Sequence, residues 1–126
     1  GYGSVKEIDD YNILQATFLA MRRAISNLAS LPSRALIDGN KVPSGLPCFA
    51  KSIVKGDSKV ASIAAASIVA KVTRDRLMKD LAQLYPGYGW ERNFGYGVRK
   101  HQEALKLLGL TPEHRRSFKP IHHMLC

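Results

Sequence analysis

Two aspartates stand beside glycines at the ends of short apolar runs, and their carboxylates could hold a metal ion. Asp38 closes the run ALID before Gly39, and Asp57 closes SIVKGD. Ligand sites in open α/β sheets lie beyond the carboxyl ends of the strands, so parallel neighbours would bring these side chains to within about 5 Å. Two carboxylates at that distance repel by roughly 3 kcal/mol at an effective dielectric of 20, and a divalent cation would relieve the repulsion. Such hard oxygen ligands select Mg²⁺ or Mn²⁺.

Each aspartate also has an ordinary structural interpretation. Asp38 precedes Gly-Asn, a common turn sequence, and Asp57 could cap the helix that follows it, a role worth about 0.5 to 2 kcal/mol. Asp75 lies four residues from both Lys71 and Lys79, which favours a surface ion pair. Spacing alone therefore leaves the metal site and the structural roles open.

The elements that position these aspartates are predicted to be two strands and four helices. Apolar residues at steps of three and four predict a helix from about Asp10 to Leu28, with Asp9 or Asp10 as its cap. The apolar stripe of this helix should pack in the core; it comprises Leu14, Phe18, Met21, Ile25 and Leu28. ALID (35 to 38) and SIVKGD (52 to 57) predict short strands, and the loop KVPSGLPCFA lies between them.

A long helix is predicted from about Ser58 to Leu84, where Tyr-Pro-Gly ends it. Its first half is apolar on every side and should be buried, with alanines allowing close approach to a sheet. Its second half is amphipathic and turns basic residues outward, namely Lys71, Arg74, Arg76 and Lys79. Downstream we predict an ordered loop over YPGYGWERNFGYG, a short helix closed by Gly109, and another helix opened by TPEH, with Thr111 as its cap.

Composition fits one globular domain over residues 1–126 and a polyanionic partner. Hydrophobic residues make up 45% of the chain. Nineteen Lys and Arg against ten Asp and Glu give a formal charge of +9, which favours nucleic acid, although solubility alone could explain it. Two cysteines without zinc spacing suit a reducing cytoplasm, and no apolar run of about 18 residues predicts a membrane span. The start of the chain also lacks the pattern of a secretion signal.

A series of ordered segments resembles the C-terminal two thirds of the ribonuclease HII family, the type 2 ribonucleases H. The segments are IDGN, KGD, SIAAASIVAKVTRDR, YPGYGW, GYG with a histidine five residues after its tyrosine, and HRRSF. The resemblance runs from EIDDYNI at residues 7 to 13 to HRRSFKP at residues 114 to 120. An ordered series of this kind is far more specific than any single short motif.

The resemblance implies a ribonuclease H-like α/β fold and a two-metal endonuclease. Its implied substrates are the RNA strand of RNA–DNA hybrids and single ribonucleotides embedded in duplex DNA. Asp38 and Asp57 match the last two of four metal-binding carboxylates in the family, with Mn²⁺ or Mg²⁺ as the cofactor. Tyr96 matches a tyrosine that packs on the sugar next to the cut site. Basic residues that could contact phosphates include Arg74, Arg76 and Lys100.

The chain departs from the family pattern in one respect. It contains neither the Asp-Glu pair nor the Gly-Arg-Gly loop with which the family begins. In the family this segment supplies the other two metal ligands and the loop that senses the ribose 2′-hydroxyl. We therefore expect an incomplete fold without the first strands of the sheet, a fragment with little activity alone, and a monomer when complete. The alternative is a basic nucleic-acid-binding module without catalysis, in which both aspartates are structural.

Overall fold

The computed structural model describes residues 1–125, which form two compact units. The first unit consists of Gly1–Ile63 and the described residues from Pro112 onward, and the second consists of Ala64–Thr111. The elements in chain order are α1 (Val5–Tyr11), α2 (Ile13–Ser26), β1 (Arg34–Asp38), β2 (Phe49–Ile53), α3 (Gly56–Lys59), α4 (Ala61–Leu84), α5 (Trp90–Asn93), α6 (Arg99–Leu108) and α7 (Lys119–Leu125).

The sheet of the first unit has two described strands, β1 and β2, which pair in parallel. The register runs from Arg34 opposite Phe49 to Asp38 opposite Ile53. The strand predicted over ALID is confirmed, with Ile37 as its buried residue. The second predicted strand ends four residues too late, because Lys55 adopts a left-handed conformation (φ 53°) that ends the extended chain. Asp57 therefore lies in the first turn of α3 instead of at the end of a strand.

Two helices replace the single helix predicted near the N-terminus. Asn12 has a positive φ of 74°, which interrupts the helix, and its side chain accepts a hydrogen bond from the backbone of Gln15 to cap α2. Asparagine tolerates this conformation better than most residues. Ser4 caps α1 through a reciprocal capping box with Glu7. The prediction that Asp9 or Asp10 caps the helix is therefore wrong.

The apolar stripe predicted for this helix is only partly covered. Phe18, Met21 and Ile25 are half-buried, whereas Leu14 and Leu28 are exposed.

The buried residue of α2 is Ala16, which is 2% exposed, because the N-terminal segment crosses the helix there. A Cβ on Gly3 would lie 3.1 Å from the carbonyl oxygen of Ala16, so this close crossing of two backbones depends on small residues.

The long helix predicted from Ser58 is broken at Val60, which is extended (φ −128°, ψ 119°) and separates α3 from α4. The first half of α4 was expected to be buried, and this expectation is wrong for the described chain. Ile63 is its buried residue, whereas Ile68 and Val69 are 63% and 66% exposed. The side chains of the described residues therefore leave this apolar stretch uncovered.

An aromatic core holds the second unit together. Trp90 is 2% exposed, stacks on Tyr88 with ring centroids 5.1 Å apart, and meets the edge of Tyr85 at 5.8 Å. The segment from Tyr85 to Gly97, predicted to be a loop, contains the short helix α5. The predicted helix closed by Gly109 is confirmed as α6, and Gly109 has the positive φ (80°) expected of a residue that ends a helix.

Asp9 binds the segment that precedes the C-terminal helix. Its carboxylate accepts hydrogen bonds from the backbone nitrogens of Arg116 (3.0 Å) and Ser117 (2.9 Å) and from the Ser117 hydroxyl (2.5 Å). Partial desolvation would raise the pKa of Asp9, but these hydrogen bonds outweigh it and lower the pKa. The helix predicted at TPEH is wrong, since Pro112 begins a pair of turns and α7 starts only at Lys119.

No helix within residues 1–125 is long and apolar enough to cross a membrane.

The N-terminal helix pair is tied together by an ion pair whose strength can be measured. Arg23 donates from both terminal nitrogens to the two carboxylate oxygens of Glu7, at 2.9 and 2.6 Å. This hydrogen bonding, with a smaller contribution from Ser4, lowers the pKa of Glu7 from 4.5 to about 2. The Glu7 carboxylate therefore stabilises the fold fully above pH 4.5, and this contribution is lost as the pH falls through 2.

Arg23→Gln should raise the pKa of Glu7 toward its ordinary value, because the paired guanidinium is the main cause of the shift. A ¹³C NMR titration of the Glu7 carboxyl carbon measures both values. A midpoint that Arg23→Gln leaves unchanged would contradict the assigned cause, and Glu103→Gln, at a distant exposed pair with Arg99, serves as the control.

Candidate functional site

The ends of the parallel strands carry the first part of the candidate site. Asp38 is the last residue of β1, and the backbone nitrogen of Gly39 donates to the carbonyl of Ile53 at 3.0 Å, which continues the pairing past the strand ends. Asp38 and Asp57 are both exposed, so their carboxylates are accessible from solvent.

A single hydrogen bond joins the Asp38 carboxylate to the start of α3. The backbone nitrogen of Gly56 donates to Oδ1 of Asp38 at 2.8 Å, and Gly56 is the residue directly before Asp57. Gly56 is buried, and a Cβ there would lie 2.7 Å from Cδ1 of Ile63 and 3.5 Å from Oδ1 of Asp38. A side chain at position 56 would therefore press on Ile63 of α4, whereas its contact with Asp38 would be an ordinary one.

The local geometry decides between the structural roles considered for the two aspartates. Lys55 occupies the cap position of α3 and its side chain makes no capping bond, so Asp57 does not cap the helix. Asp38 does hold a backbone nitrogen through one oxygen, as a turn aspartate would. Its second oxygen and the whole Asp57 carboxylate have no hydrogen-bond or ion-pair partner among residues 1–125, so both can accept a ligand.

These donors fit part of a site for Mg²⁺ or Mn²⁺. Both are carboxylates, the hard oxygen ligands that these ions prefer. Within the described chain, no group of three or more His, Cys, Asp or Glu side chains is placed to hold a metal ion. A metal site that uses Asp38 and Asp57 therefore needs further ligands besides the side chains of residues 1–125.

The predicted substrate-binding residues Tyr96 and Arg74 lie together in the second unit. Tyr96 is 62% exposed, and the guanidinium carbon of Arg74 lies 5.6 Å from the centre of its ring. Arg74 also donates to the carbonyl oxygen of Phe94 at 2.8 Å. Gly95 (φ 82°) packs against α4, since a Cβ there would lie 3.2 Å from Cε of Met78 and 3.7 Å from Nη2 of Arg74. Arg74 therefore orders the loop that presents Tyr96.

The two other basic candidates do not join this pair. Arg76 follows Arg74 by two residues, which turns it about 200° around the helix, away from Tyr96. Arg76 and Lys100 are both exposed, Lys100 in the first turn of α6. The ion pair predicted for Asp75 is found with Lys71, at 3.3 Å.

Sequence reasoning did not identify a buried histidine beneath the Tyr96 loop. His101 is 5% exposed, accepts a hydrogen bond at Nε2 from the Trp90 indole (3.1 Å), and lies 2.9 Å through Nδ1 from the carbonyl oxygen of Tyr96. The sequence does contain one indication of this contact. His101 follows Tyr96 by five residues and lies in the first turn of a predicted helix, a position from which it can contact the preceding loop.

Comparison with known proteins identifies the family of the chain. A family model described as Ribonuclease HII matches residues 1–121. The chain belongs to the ribonuclease HII family. It is 62% identical to Ribonuclease HII of Jannaschia sp. over the whole chain and 63% of that relative. It is 56% identical to Ribonuclease HII of Roseobacter denitrificans over 99% of the chain, again covering 63% of the relative.

A solved structure extends the agreement to the fold. The crystal structure of ribonuclease H2 from Pyrococcus horikoshii matches 96% of this chain with a TM-score of 0.76 at 25% identity, and the match covers 64% of that protein. The ribonuclease H-like α/β fold predicted from the sequence is confirmed. The chain spans somewhat less than two thirds of the length of these ribonuclease HII relatives.

The close approach at Gly56 can be tested by a double-mutant cycle. Gly56→Ala should cost about 1 to 3 kcal/mol of unfolding free energy, because the new Cβ would press on Cδ1 of Ile63. In an Ile63→Val background, which removes that atom, the same substitution should cost clearly less. Urea unfolding measures all four proteins.

Gly97→Ala is the matched control for this cycle. The nearest atom to a Cβ on Gly97 is 4.0 Å away, and its backbone does not need a positive φ. The change should stay within about 0.5 kcal/mol. Equal costs of Gly56→Ala in both backgrounds would show that the Ile63 contact does not impose the glycine.

Proposed function

We propose that the chain is the C-terminal part of an endonuclease that cuts the RNA strand of RNA–DNA hybrids and cuts at single ribonucleotides in duplex DNA. One observation carries the proposal: in a member of the ribonuclease HII family, the N–H of Gly56, the residue before Asp57, binds the Asp38 carboxylate at the carboxyl end of β1. This is where an open α/β sheet places its ligand site.

Asp38 and Asp57 act as metal ligands in this proposal, and neither acts as a general base. The two carboxylates would hold Mn²⁺ or Mg²⁺, and the chemistry that the metal would supply is activation of a water molecule and stabilisation of the leaving oxygen in a two-metal hydrolysis. The Gly56 N–H holds one oxygen of the Asp38 carboxylate, and α3 carries Asp57 as the residue after Gly56. In this proposal the chain supplies two negative charges to a shared cation, which would offset the repulsion between them.

The exposed ring of Tyr96 suits stacking on the sugar beside the cut site. Arg74 holds the loop behind the ring and leaves the ring 62% exposed, so a nucleic acid can reach it. Arg76 and Lys100 are exposed cations that fit contacts with backbone phosphates, in line with the formal charge of +9. Such phosphate contacts supply affinity that falls as the salt concentration rises.

The remaining ligands come from outside these 126 residues. The chain supplies two of the four carboxylates implied by the family, and it spans 63% of its Jannaschia relative. We propose that a preceding segment contributes the Asp-Glu pair and the Gly-Arg-Gly loop and completes a single catalytic domain. The completed protein works as a cytoplasmic monomer, whereas the chain alone has little or no activity.

A fusion protein tests the proposal. The residues that precede the matched region in the Jannaschia relative are joined ahead of Gly1, and cleavage of duplex DNA with one embedded ribonucleotide is followed with Mn²⁺. The fusion should cut, and Asp38→Asn or Asp57→Asn should each lower kcat at least about 100-fold through loss of a ligand charge. Asp80→Asn, an exposed carboxylate on α4, should leave the rate unchanged.

Binding measured beside cleavage separates the nuclease from the alternative of a basic binding module. Fluorescence anisotropy with an RNA–DNA hybrid should show that both Asn variants keep or gain affinity, because each removes a negative charge facing the phosphates. An inactive fusion, or Asn variants with full turnover, would contradict the nuclease.

A further inference from the structure

We propose that His101 is a positioning residue that sets Tyr96 in place through the Tyr96 main chain. The inference rests on the proposed function, in which Tyr96 contacts the substrate. The juxtaposition that carries it is a buried imidazole hydrogen-bonded on one side to the Trp90 indole and on the other to the carbonyl oxygen of Tyr96.

The Tyr96 loop has little stiffness of its own. Glycines stand on both sides of Tyr96, and Gly95 adopts a positive φ of 82°. Glycine samples more backbone conformations than any other residue, so the peptide of Tyr96 needs external contacts to hold one orientation. Local bonds supply some of these, from the Tyr96 nitrogen to the carbonyl of Asn93 and from the nitrogen of Val98 to the carbonyl of Tyr96, each at 2.9 Å.

His101 adds a hydrogen bond to this loop from a side chain that is buried in the core of the second unit. It is 5% exposed on α6 and packs edge-on against Trp90, which is 2% exposed. The bond from Nδ1 to the carbonyl of Tyr96 therefore ties an exposed tyrosine to the most buried part of the second unit. Arg74 approaches the same residue through its ring, so the main chain and the side chain of Tyr96 are held from separate elements.

The hydrogen-bond partners fix the tautomer of His101. The Trp90 indole nitrogen can only donate, so Nε2 of His101 must accept. A neutral imidazole then carries its proton on Nδ1, which donates to the carbonyl oxygen of Tyr96. These two hydrogen bonds use different ring nitrogens, so they can be removed one at a time.

Two amide substitutions separate the hydrogen bond with Trp90 from the hydrogen bond with Tyr96. In His101→Asn the side-chain nitrogen can occupy the place of Nδ1 and still donate to Tyr96, but the bond with Trp90 is lost. In His101→Gln the side-chain oxygen can reach the place of Nε2 and accept from Trp90, but the bond with Tyr96 is lost. A role through Tyr96 predicts that Asn preserves function better than Gln, whereas a purely structural role of the imidazole predicts no such order.

The experiment uses the fusion protein described above with the single-ribonucleotide substrate. His101→Gln should lower kcat/KM about tenfold, the effect of one lost hydrogen bond, and His101→Asn should lower it less. Affinity for an all-DNA duplex, measured by anisotropy, should stay at the parent value for both variants, since phosphate contacts do not depend on Tyr96. Circular dichroism melting of each variant corrects the rates for any unfolded fraction.

A cycle with Tyr96→Ala provides the decisive comparison. If His101 acts through Tyr96, His101→Gln should have no further effect on kcat/KM once the tyrosine side chain is gone. Additive losses, or equal losses in the Asn and Gln variants after correction for folding, would overturn the inference while leaving the nuclease intact. A fusion that does not cut, or that cuts at full rate with Tyr96→Ala, would instead overturn the function assigned to the loop.

Discussion

The hydrogen bond from the Gly56 backbone to the Asp38 carboxylate is the interaction on which the candidate metal site depends. It requires parallel pairing of β1 and β2, a left-handed Lys55 to end the second strand, and a glycine small enough to lie between Asp38 and Ile63. Together these features place the backbone of Gly56, the residue before Asp57, against the Asp38 carboxylate.

The second unit carries the exposed aromatic ring of Tyr96 on a glycine-rich loop. Trp90 and His101 form a rigid base beneath the loop, while Arg74 contacts the loop from α4. A residue held in this way loses little conformational entropy when another molecule packs on its ring. The candidate metal site and the Tyr96 loop thus rely on separate local contacts, a backbone donor in one unit and a buried imidazole in the other.

Features encoded by neighbouring residues could be predicted from the sequence, and features that depend on distant partners could not. The strand before Asp38 and the helix closed by Gly109 follow from short apolar patterns and a glycine. The break at Asn12 was hidden because the apolar periodicity continues through it, and the role of Asp9 depends on Ser117, 108 residues away. Burial of the alanine-rich start of α4 was predicted from its apolar composition. Composition shows that a helix favours burial, but it does not show which residues would pack against it.

The most direct test of the account is anomalous diffraction at the manganese edge from crystals of the fusion protein grown with Mn²⁺. The account predicts a peak within about 2.5 Å of one carboxylate oxygen of Asp38 and one of Asp57, with the Gly56 hydrogen bond retained. Manganese bound elsewhere, or in contact with only one of the two carboxylates, would contradict it.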